Sequence, residues 1–130
     1  MNLVITPIYV ALLSLVFVYL SIRTIGLRRN NKIAIGDGGN LSLQKATRAH
    51  ANFAEYTPIS LLLLSMIELD GYNPILINAL GILLLIGRCC HAYGISKTDE
   101  DFKYRVSGMT MTFFTIISAS VLILAHALFK

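Results

Sequence analysis

The sequence predicts an all-α integral membrane protein in which one chain forms a bundle of four transmembrane helices. Its 130 residues are 55% hydrophobic and only 14% charged, with a mean hydropathy of +0.68, which is too apolar for a water-soluble domain of this size. A helix needs about 20 residues to cross a bilayer, so four spans use nearly the whole chain. We therefore expect a single membrane domain over residues 1–130 and no separate soluble domain.

Spans one and four are the two long uncharged segments. Residues 1–22 contain no charged side chain, and we predict span one over residues 3–25. Span four is predicted over residues 104–129, of which 106–129 carry no formal charge. The basic residues near span one follow its apolar run instead of preceding it, which is the reverse of a secretory signal peptide. We therefore expect span one to be kept in the mature protein.

Spans two and three each carry polar residues at one end. Residues 56–67 and 71–87 are uncharged, but both segments must include polar neighbours to reach spanning length. We predict span two over residues 45–67 and span three over residues 74–95. Because polar groups at membrane depth are costly, these ends are where we expect function.

The charges of the three connections predict the orientation of the chain. Lysine and arginine flank the first connection, residues 26–44, and the third, residues 96–103, whereas the second, near residues 68–73, contains only acidic charges. By the positive-inside rule, the first and third connections face the cytoplasm and both termini face the periplasm. These topology signals account for the formal net charge of +4, and we expect no nucleic-acid partner.

Polar side chains on three spans are predicted to meet at one membrane depth. Arg48, Asn52 and Glu55 are spaced i, i+4 and i+7, so they share one stripe of span two. Arg88 lies at the corresponding end of span three, and Arg105 lies at the start of span four. Several cations around a single intramembrane carboxylate indicate either a site for an anion or a protein interface.

Structural explanations for some of these residues stay open. Arginine at a span end commonly extends its charge to lipid headgroups, which would account for Arg28 and Arg29 taken singly. Glu55 would be satisfied by a structural ion pair with Arg48 or with an arginine of a neighbouring helix or subunit. His50 is as compatible with packing as with substrate contact.

The segment at residues 48–58 carries a resemblance to a known family. It reads Arg-Ala-His-Ala-Asn-Phe-Ala-Glu-Tyr-Thr-Pro and resembles the pattern Arg-x-x-x-Asn-x-x-Glu of the membrane-associated proteins in eicosanoid and glutathione metabolism, the MAPEG family of microsomal glutathione transferases and leukotriene C4 synthase. Arg88 and the segment Arg105-Val-Ser-Gly-Met extend the resemblance over essentially the whole chain. The Gly-Asp-Gly-Gly stretch before span two is similar to prokaryotic members, which implies a bacterial inner membrane.

The resemblance implies a homotrimer that binds glutathione between neighbouring protomers near the cytoplasmic face. By position in the motif, Arg48 would bind a glutathione carboxylate and His50 would contact substrate. Asn52, Glu55 and Tyr56 would hold the backbone and amino group of the tripeptide.

The resemblance also implies contacts from the other spans. Arg105 matches the arginine that stabilises the glutathione thiolate and is the candidate catalytic residue. Arg28 or Arg29 takes the place of basic residues in the first connection, and Arg88 that of a span-three arginine near the tripeptide. His91 stands where the leukotriene synthase branch carries a tyrosine, and we include it as a binding residue.

The charges of glutathione agree with this set of residues. The tripeptide carries two carboxylates and one ammonium, which several arginines and one glutamate would complement. A cation within about 4 to 6 Å of its thiol would lower the thiol pKa from about 8.5 by roughly 1 to 3 units. The predicted activity is a glutathione S-transferase acting on an apolar electrophile or lipid, with reduction of lipid hydroperoxides as a related activity. It requires no metal.

Two other functions stay open. The family that the chain resembles also includes a member that presents a fatty acid to another enzyme, so a non-catalytic lipid-binding or scaffold protein is the alternative. A four-span drug/proton exporter also matches the length. Such transporters are expected to carry a carboxylate in span one, and residues 3–25 contain none.

Overall fold

Four long helices joined by short connections form the chain, in a computed structural model that describes residues 2–97, 99 and 102–129. The helices are α1 (Thr6–Asn31), α2 (Leu41–Leu69), α3 (Pro74–Ser96) and α4 (Phe102–Phe129). Helix α2 packs against all three other helices, α3 packs extensively along α4, and α1 contacts α2 and α3. The predicted all-α four-helix bundle is confirmed.

Three of the helices, α1, α3 and α4, are long and apolar enough to cross a membrane by length and composition. Helix α2 is equally long, but its first half contains Lys45, Arg48 and Glu55. A multi-pass membrane protein therefore follows from the helices, and the polar half of α2 is the exception that needs an explanation.

Helix α1 continues six residues beyond the predicted end of span one. Pro7 lies in its first turn, where the missing N–H costs no helical hydrogen bond, as the sequence indicates. The helix ends when Lys32 adopts a left-handed conformation and its N–H bonds to the carbonyls of Arg28 and Arg29. These two arginines therefore lie in the last turn of α1, not in the first connection as predicted. Their charges there are favourable to the helix dipole.

The N-terminus of α1 is held by a carboxylate from α2. Ile5, the residue before the helix, offers no side-chain cap. Instead, the N–H groups of Val4, Ile5 and Thr6 donate to the two oxygens of Glu68, each at 2.7 Å. Glu68 lies just beyond predicted span two. This contact fixes α1 to the end of the bundle that contains the second connection.

Glycines allow α3 and α4 to approach closely. A methyl group on Gly108 of α4 would lie 2.5 Å from the carbonyl oxygen of Gly87 and from the backbone nitrogen of His91. One on Gly94 of α3 would lie 2.7 Å from the backbone nitrogen of Arg105. The close crossing therefore sets the position of Arg105 relative to α3, as small residues do in membrane helix pairs.

Candidate functional site

Arg88 lies at the centre of the polar region and is completely buried. Its guanidinium donates to the side-chain oxygen of Asn52 on α2 at 2.5 Å and to the hydroxyl of Thr112 on α4 at 3.4 Å. The sulfur of Met109 is 3.5 Å away. One buried cation thus joins α2, α3 and α4, because a guanidinium carries five N–H donors in a planar fork.

Two aromatic rings of α2 enclose the same guanidinium. The centroids of the Phe53 and Tyr56 rings lie 5.6 Å and 5.8 Å from its central carbon. These distances are those of cation–π contacts. Tyr56 in turn packs edge-on against Phe113 of α4, with 5.6 Å between ring centroids. Arg88 is therefore held by ring faces and neutral oxygens, since no carboxylate among the described residues bonds to it.

Arg48 and Arg105 line one small cleft at the end of the bundle that contains the first and third connections, which we call the basic end. The cleft has a volume of about 170 Å³. Arg48 comes from α2 and Arg105 from α4, and Lys45 of α2 and Ile95 of α3 also line the cleft. Two predicted site residues that are far apart in sequence are therefore brought together, with their positive charges in one cleft.

His91 connects the buried region to the backbone of Arg105. Its ring is almost fully buried, and the ring nitrogen Nδ1 lies 3.1 Å from the carbonyl oxygen of Arg105. The other ring nitrogen has no hydrogen-bond partner among the described residues. His91 thus contacts the first turn of α4 and sits one turn along α3 from Arg88.

The outer members of the stripe on α2 are exposed in the single chain. Arg48 and Glu55 are both exposed, whereas Asn52 between them is half-buried by its bond to Arg88. Within the described part of the chain, no hydrogen bond or ion pair joins Glu55 to Arg48. In a membrane, this face of α2 therefore needs a cover other than lipid tails.

Three other predicted site residues lie away from the cleft. His50 faces α1, where its ring stacks on Phe17 at 4.7 Å between centroids and bonds to the hydroxyl of Ser21 at 3.0 Å. Arg28 donates to the carbonyl of Gly36 at 2.8 Å and so braces the first connection. Arg29 is exposed beside it.

Sequence reasoning missed the contribution of α4 to the buried region. Met109 and Thr112 follow Arg105 at i+4 and i+7, so all three share one face of the helix. Thr112 donates its proton to the carbonyl of Gly108 at 2.9 Å, which leaves its oxygen as an acceptor for Arg88. The helical spacing of these residues could have indicated that they share a face. A threonine in an apolar helix, however, does not by itself indicate a contact with a buried arginine.

Comparisons with known proteins identify the family to which the chain belongs. The family model described as the MAPEG family matches residues 6–125. The chain is also 34% identical over 113 residues to the inner membrane protein YecN of Escherichia coli strain K12, covering 87% of this chain and 85% of that protein. YecN of strain O6:H1 matches equally well. The chain therefore belongs to the MAPEG family and is a multi-pass protein of the inner membrane, which is also where these relatives are located.

Proposed function

We propose that the protein is a membrane-embedded glutathione S-transferase. The observation that carries this proposal is the cleft at the basic end, which Arg48 of α2 and Arg105 of α4 both line. Membership of the MAPEG family supports a thiol-dependent activity for such a site. The cleft of a single chain has a volume of only about 170 Å³, so it accounts for part of a tripeptide site, and a neighbouring protomer would supply the remainder.

The charges around the cleft fit the charges of glutathione. Arg48 would grip one carboxylate of the tripeptide, since arginine matches a carboxylate with two parallel hydrogen bonds. Glu55 would accept from the ammonium group, and Tyr56 would contact the peptide. Arg28 or Arg29, in the last turn of α1, and His50 of α2 would complete the contacts with the tripeptide.

Arg105 would stabilise the thiolate, and this is the proposed catalytic step. The thiol proton passes to water, and the guanidinium holds the sulfur anion. The sulfur electron pair then forms a carbon–sulfur bond with an apolar electrophile from the membrane, and a leaving group departs with its own electron pair. With a lipid hydroperoxide, the thiolate attacks the terminal oxygen and the O–O bond breaks, which gives a sulfenic acid and an alkoxide that takes a proton from water and leaves as the alcohol. A second glutathione then converts the sulfenic acid to the disulfide and water.

Arg88 and His91 would act by positioning their neighbours. Arg88 bonds to the oxygen of Asn52, which orients the amide so that its NH₂ group can donate to the tripeptide. His91 bonds to the carbonyl of Arg105 and would fix the first turn of α4. We assign both residues to the site through these partners, since both are buried beneath it.

A homotrimer would supply the cover that the stripe on α2 lacks. Arg48 and Glu55 are exposed in one chain, and exposure of both to lipid tails would cost several kcal/mol. A second copy placed against this face would bury both side chains and enclose a bound tripeptide. The assembly and the site are therefore parts of the same proposal.

The test is binding of glutathione by equilibrium dialysis to purified protein. Wild type should bind at millimolar or lower concentration, and Arg48→Ala should bind at least tenfold more weakly because a charge-assisted hydrogen bond pair is lost. The matched control is Lys32→Asn. It removes one exposed cation at the same end and keeps a residue that tolerates the left-handed conformation. No binding by folded wild type would contradict the proposal and favour the lipid-binding alternative.

A further inference from the structure

A groove between α1 and α3 runs along the bundle and is separate from the cleft between Arg48 and Arg105. Its volume is about 620 Å³. The apolar part is lined by Leu15, Val16 and Tyr19 of α1 and by Cys89, Ala92 and Tyr93 of α3. An apolar channel of this kind between two membrane helices fits an acyl chain of a lipid.

The groove has a cation on each wall at the basic end. Arg23 follows Tyr19 by four residues on α1, and Lys97 follows Tyr93 by four residues at the end of α3. Each wall therefore carries an aromatic ring and then, one turn further on, a positive charge. Tyrosine marks the level of the membrane interface and cations beyond it meet phosphate groups. The groove thus has the polarity of a phospholipid along its length.

Contacts hold the two cations at this depth. The guanidinium of Arg23 donates to the hydroxyl of Ser96 at 2.5 Å and to its carbonyl at 3.3 Å, which ties α1 to α3. Because a guanidinium has five N–H groups, donors remain for a ligand. The ammonium of Lys97 lies 4.3 Å from the centroid of the Tyr93 ring.

A second cavity continues the groove beyond the two cations. It has a volume of about 460 Å³ and shares Arg23, Ser96 and Lys97 with the first. The residues that line this second cavity and not the first are Leu27, Ser42 and Asp99. The order along the groove is therefore apolar walls, then two cations, then one carboxylate.

We propose that this groove is a binding site for a phospholipid with a phosphoethanolamine headgroup. In such a lipid the phosphate lies next to the acyl chains and a primary ammonium lies further out, which is the order of the charges that the groove presents. Arg23 and Lys97 bind the phosphate, and Asp99 accepts from the ammonium. Phosphatidylglycerol lacks the cation that Asp99 would bind, and the quaternary nitrogen of phosphatidylcholine has no N–H to donate.

Native mass spectrometry of delipidated protein tests the proposal with three lipids that have identical dioleoyl chains. Wild type should bind phosphatidylethanolamine roughly two- to fivefold more tightly than phosphatidylcholine or phosphatidylglycerol, the range expected of one exposed charge pair. Asp99→Asn should abolish this preference and keep the binding of all three lipids. Asp70→Asn is the control, since it removes a carboxylate at the other end of the bundle and should leave the preference unchanged.

A second variant and a second readout separate lipid binding from folding. Arg23→Gln should weaken the binding of all three lipids by a similar factor. If Arg23→Gln does not fold, Asp99→Asn still tests the proposal, because Asp99 is exposed and its substitution should not disturb folding. In a Cys90→Ser background, bound phosphatidylethanolamine should slow alkylation of Cys89, which lines the groove. Equal affinity of wild type for the three lipids, a preference for phosphatidylglycerol, or a preference that survives in Asp99→Asn would each overturn the proposal.

Discussion

At the scale of single residues, the most consequential feature is a buried arginine that bonds to no carboxylate among the residues that the structure describes. Arg88 is fully buried and bonds to the neutral oxygens of Asn52 and Thr112. A charged side chain buried away from water is costly, so proteins keep one only where it is hydrogen-bonded and has a function. The bond to Asn52 fixes the polar stripe of α2 relative to α3.

A double-mutant cycle measures how strongly Arg88 and Asn52 act together. Arg88→Lys keeps the positive charge but loses the planar guanidinium donors, and Asn52→Ala removes the acceptor. The effects of the two changes on the free energy of glutathione binding should therefore be non-additive by about 0.5 to 3 kcal/mol. The measurement is the dissociation constant of wild type, both single variants and the double variant. Strict additivity would show that the two side chains act independently and would contradict the positioning role.

The second feature at this scale is the carboxylate of Glu68 at the N-terminus of α1. Burial raises the pKa of this carboxyl, but the hydrogen bonds from the N–H groups of Val4, Ile5 and Thr6 outweigh it and lower the pKa from 4.5 to about 2. Because the folded pKa is depressed, the ionised group stabilises the folded protein above pH 4.5. That contribution is lost as the pH falls toward 2.

Glu68→Gln should lower the free energy of unfolding at pH 7 by about 1 kcal/mol, the usual value of a helix N-cap. The difference from wild type should shrink as the pH falls below 4.5, because the unfolded wild-type chain then takes up a proton that the folded carboxylate does not bind until about pH 2. Thermal unfolding in detergent at pH 7 and pH 3 measures this, with Asp70→Asn as the control. A difference that is equally large at both pH values would contradict the assignment.

The sequence predicts the contacts of some polar residues and not those of others, and the difference has a physical reason. The stripe of Arg48, Asn52 and Glu55 follows from helical spacing alone, and its closeness to Arg88 follows from equal membrane depth. Glu68 reads only as part of an acidic connection, because its partners are 62 to 64 residues away. A long-range contact with backbone groups leaves no pattern in side-chain identity.

At the scale of the elements, the crossing of α3 and α4 controls the position of Arg105. Gly87, Gly94 and Gly108 allow the two backbones to approach until an added methyl group would overlap the opposite helix. Arg105 lies in the first turn of α4, directly across from Gly94. The geometry of the cleft thus depends on residues that have no polar side chain.

Gly108→Ala should destabilise the protein by about 1 to 3 kcal/mol through overpacking, and it should lower the thiolate fraction of bound glutathione by displacing Arg105. The matched control is Gly26→Ala on α1. A methyl group there meets nothing within 4 Å, so it should be neutral or stabilising by about 0.5 to 1 kcal/mol. Thermal unfolding of both variants decides the point, and equal behaviour of the two would show that the close crossing is unimportant.

The ends of the elements are less predictable from sequence than their number. Four apolar segments indicate four helices, which the structure confirms. The end of α1 is set by hydrogen bonding instead of hydropathy, since the helix continues through Arg28 and Arg29 until Lys32 turns left-handed. The end of span one that we predict from the positions of the charged residues therefore lies before the end of α1.

At the scale of the whole molecule, the exposed face of α2 is the feature that a single chain leaves incomplete. Arg48 and Glu55 are exposed on a helix that lies among three apolar ones. Helices in a membrane satisfy such groups against other protein surfaces. The same face contributes Arg48 to the proposed thiol site, so assembly and activity should depend on each other.

We expect the purified protein to be a homotrimer of the 14.3 kDa chain and Glu55→Ala to weaken it. In the trimer without bound glutathione, the carboxylate would pair with an arginine of the neighbouring protomer, so its loss leaves that buried cation without a partner. Native mass spectrometry in detergent measures the stoichiometry, and Glu55→Gln is the comparison that keeps size and hydrogen bonding. A stable monomer that retains glutathione binding would contradict this account.

Activation of a bound thiol by Arg105 can be measured directly by the ultraviolet difference spectrum of glutathione added to purified protein across pH. Wild type should show thiolate at pH 7, with an apparent thiol pKa roughly 1 to 3 units below the free value of about 8.5. Arg105→Ala should bind glutathione without this signal, Arg105→Lys should retain part of it, and Lys32→Asn should match wild type. A folded wild-type protein that binds glutathione only as the thiol, or a thiolate signal unchanged in Arg105→Ala, would show that Arg105 does not activate the thiol.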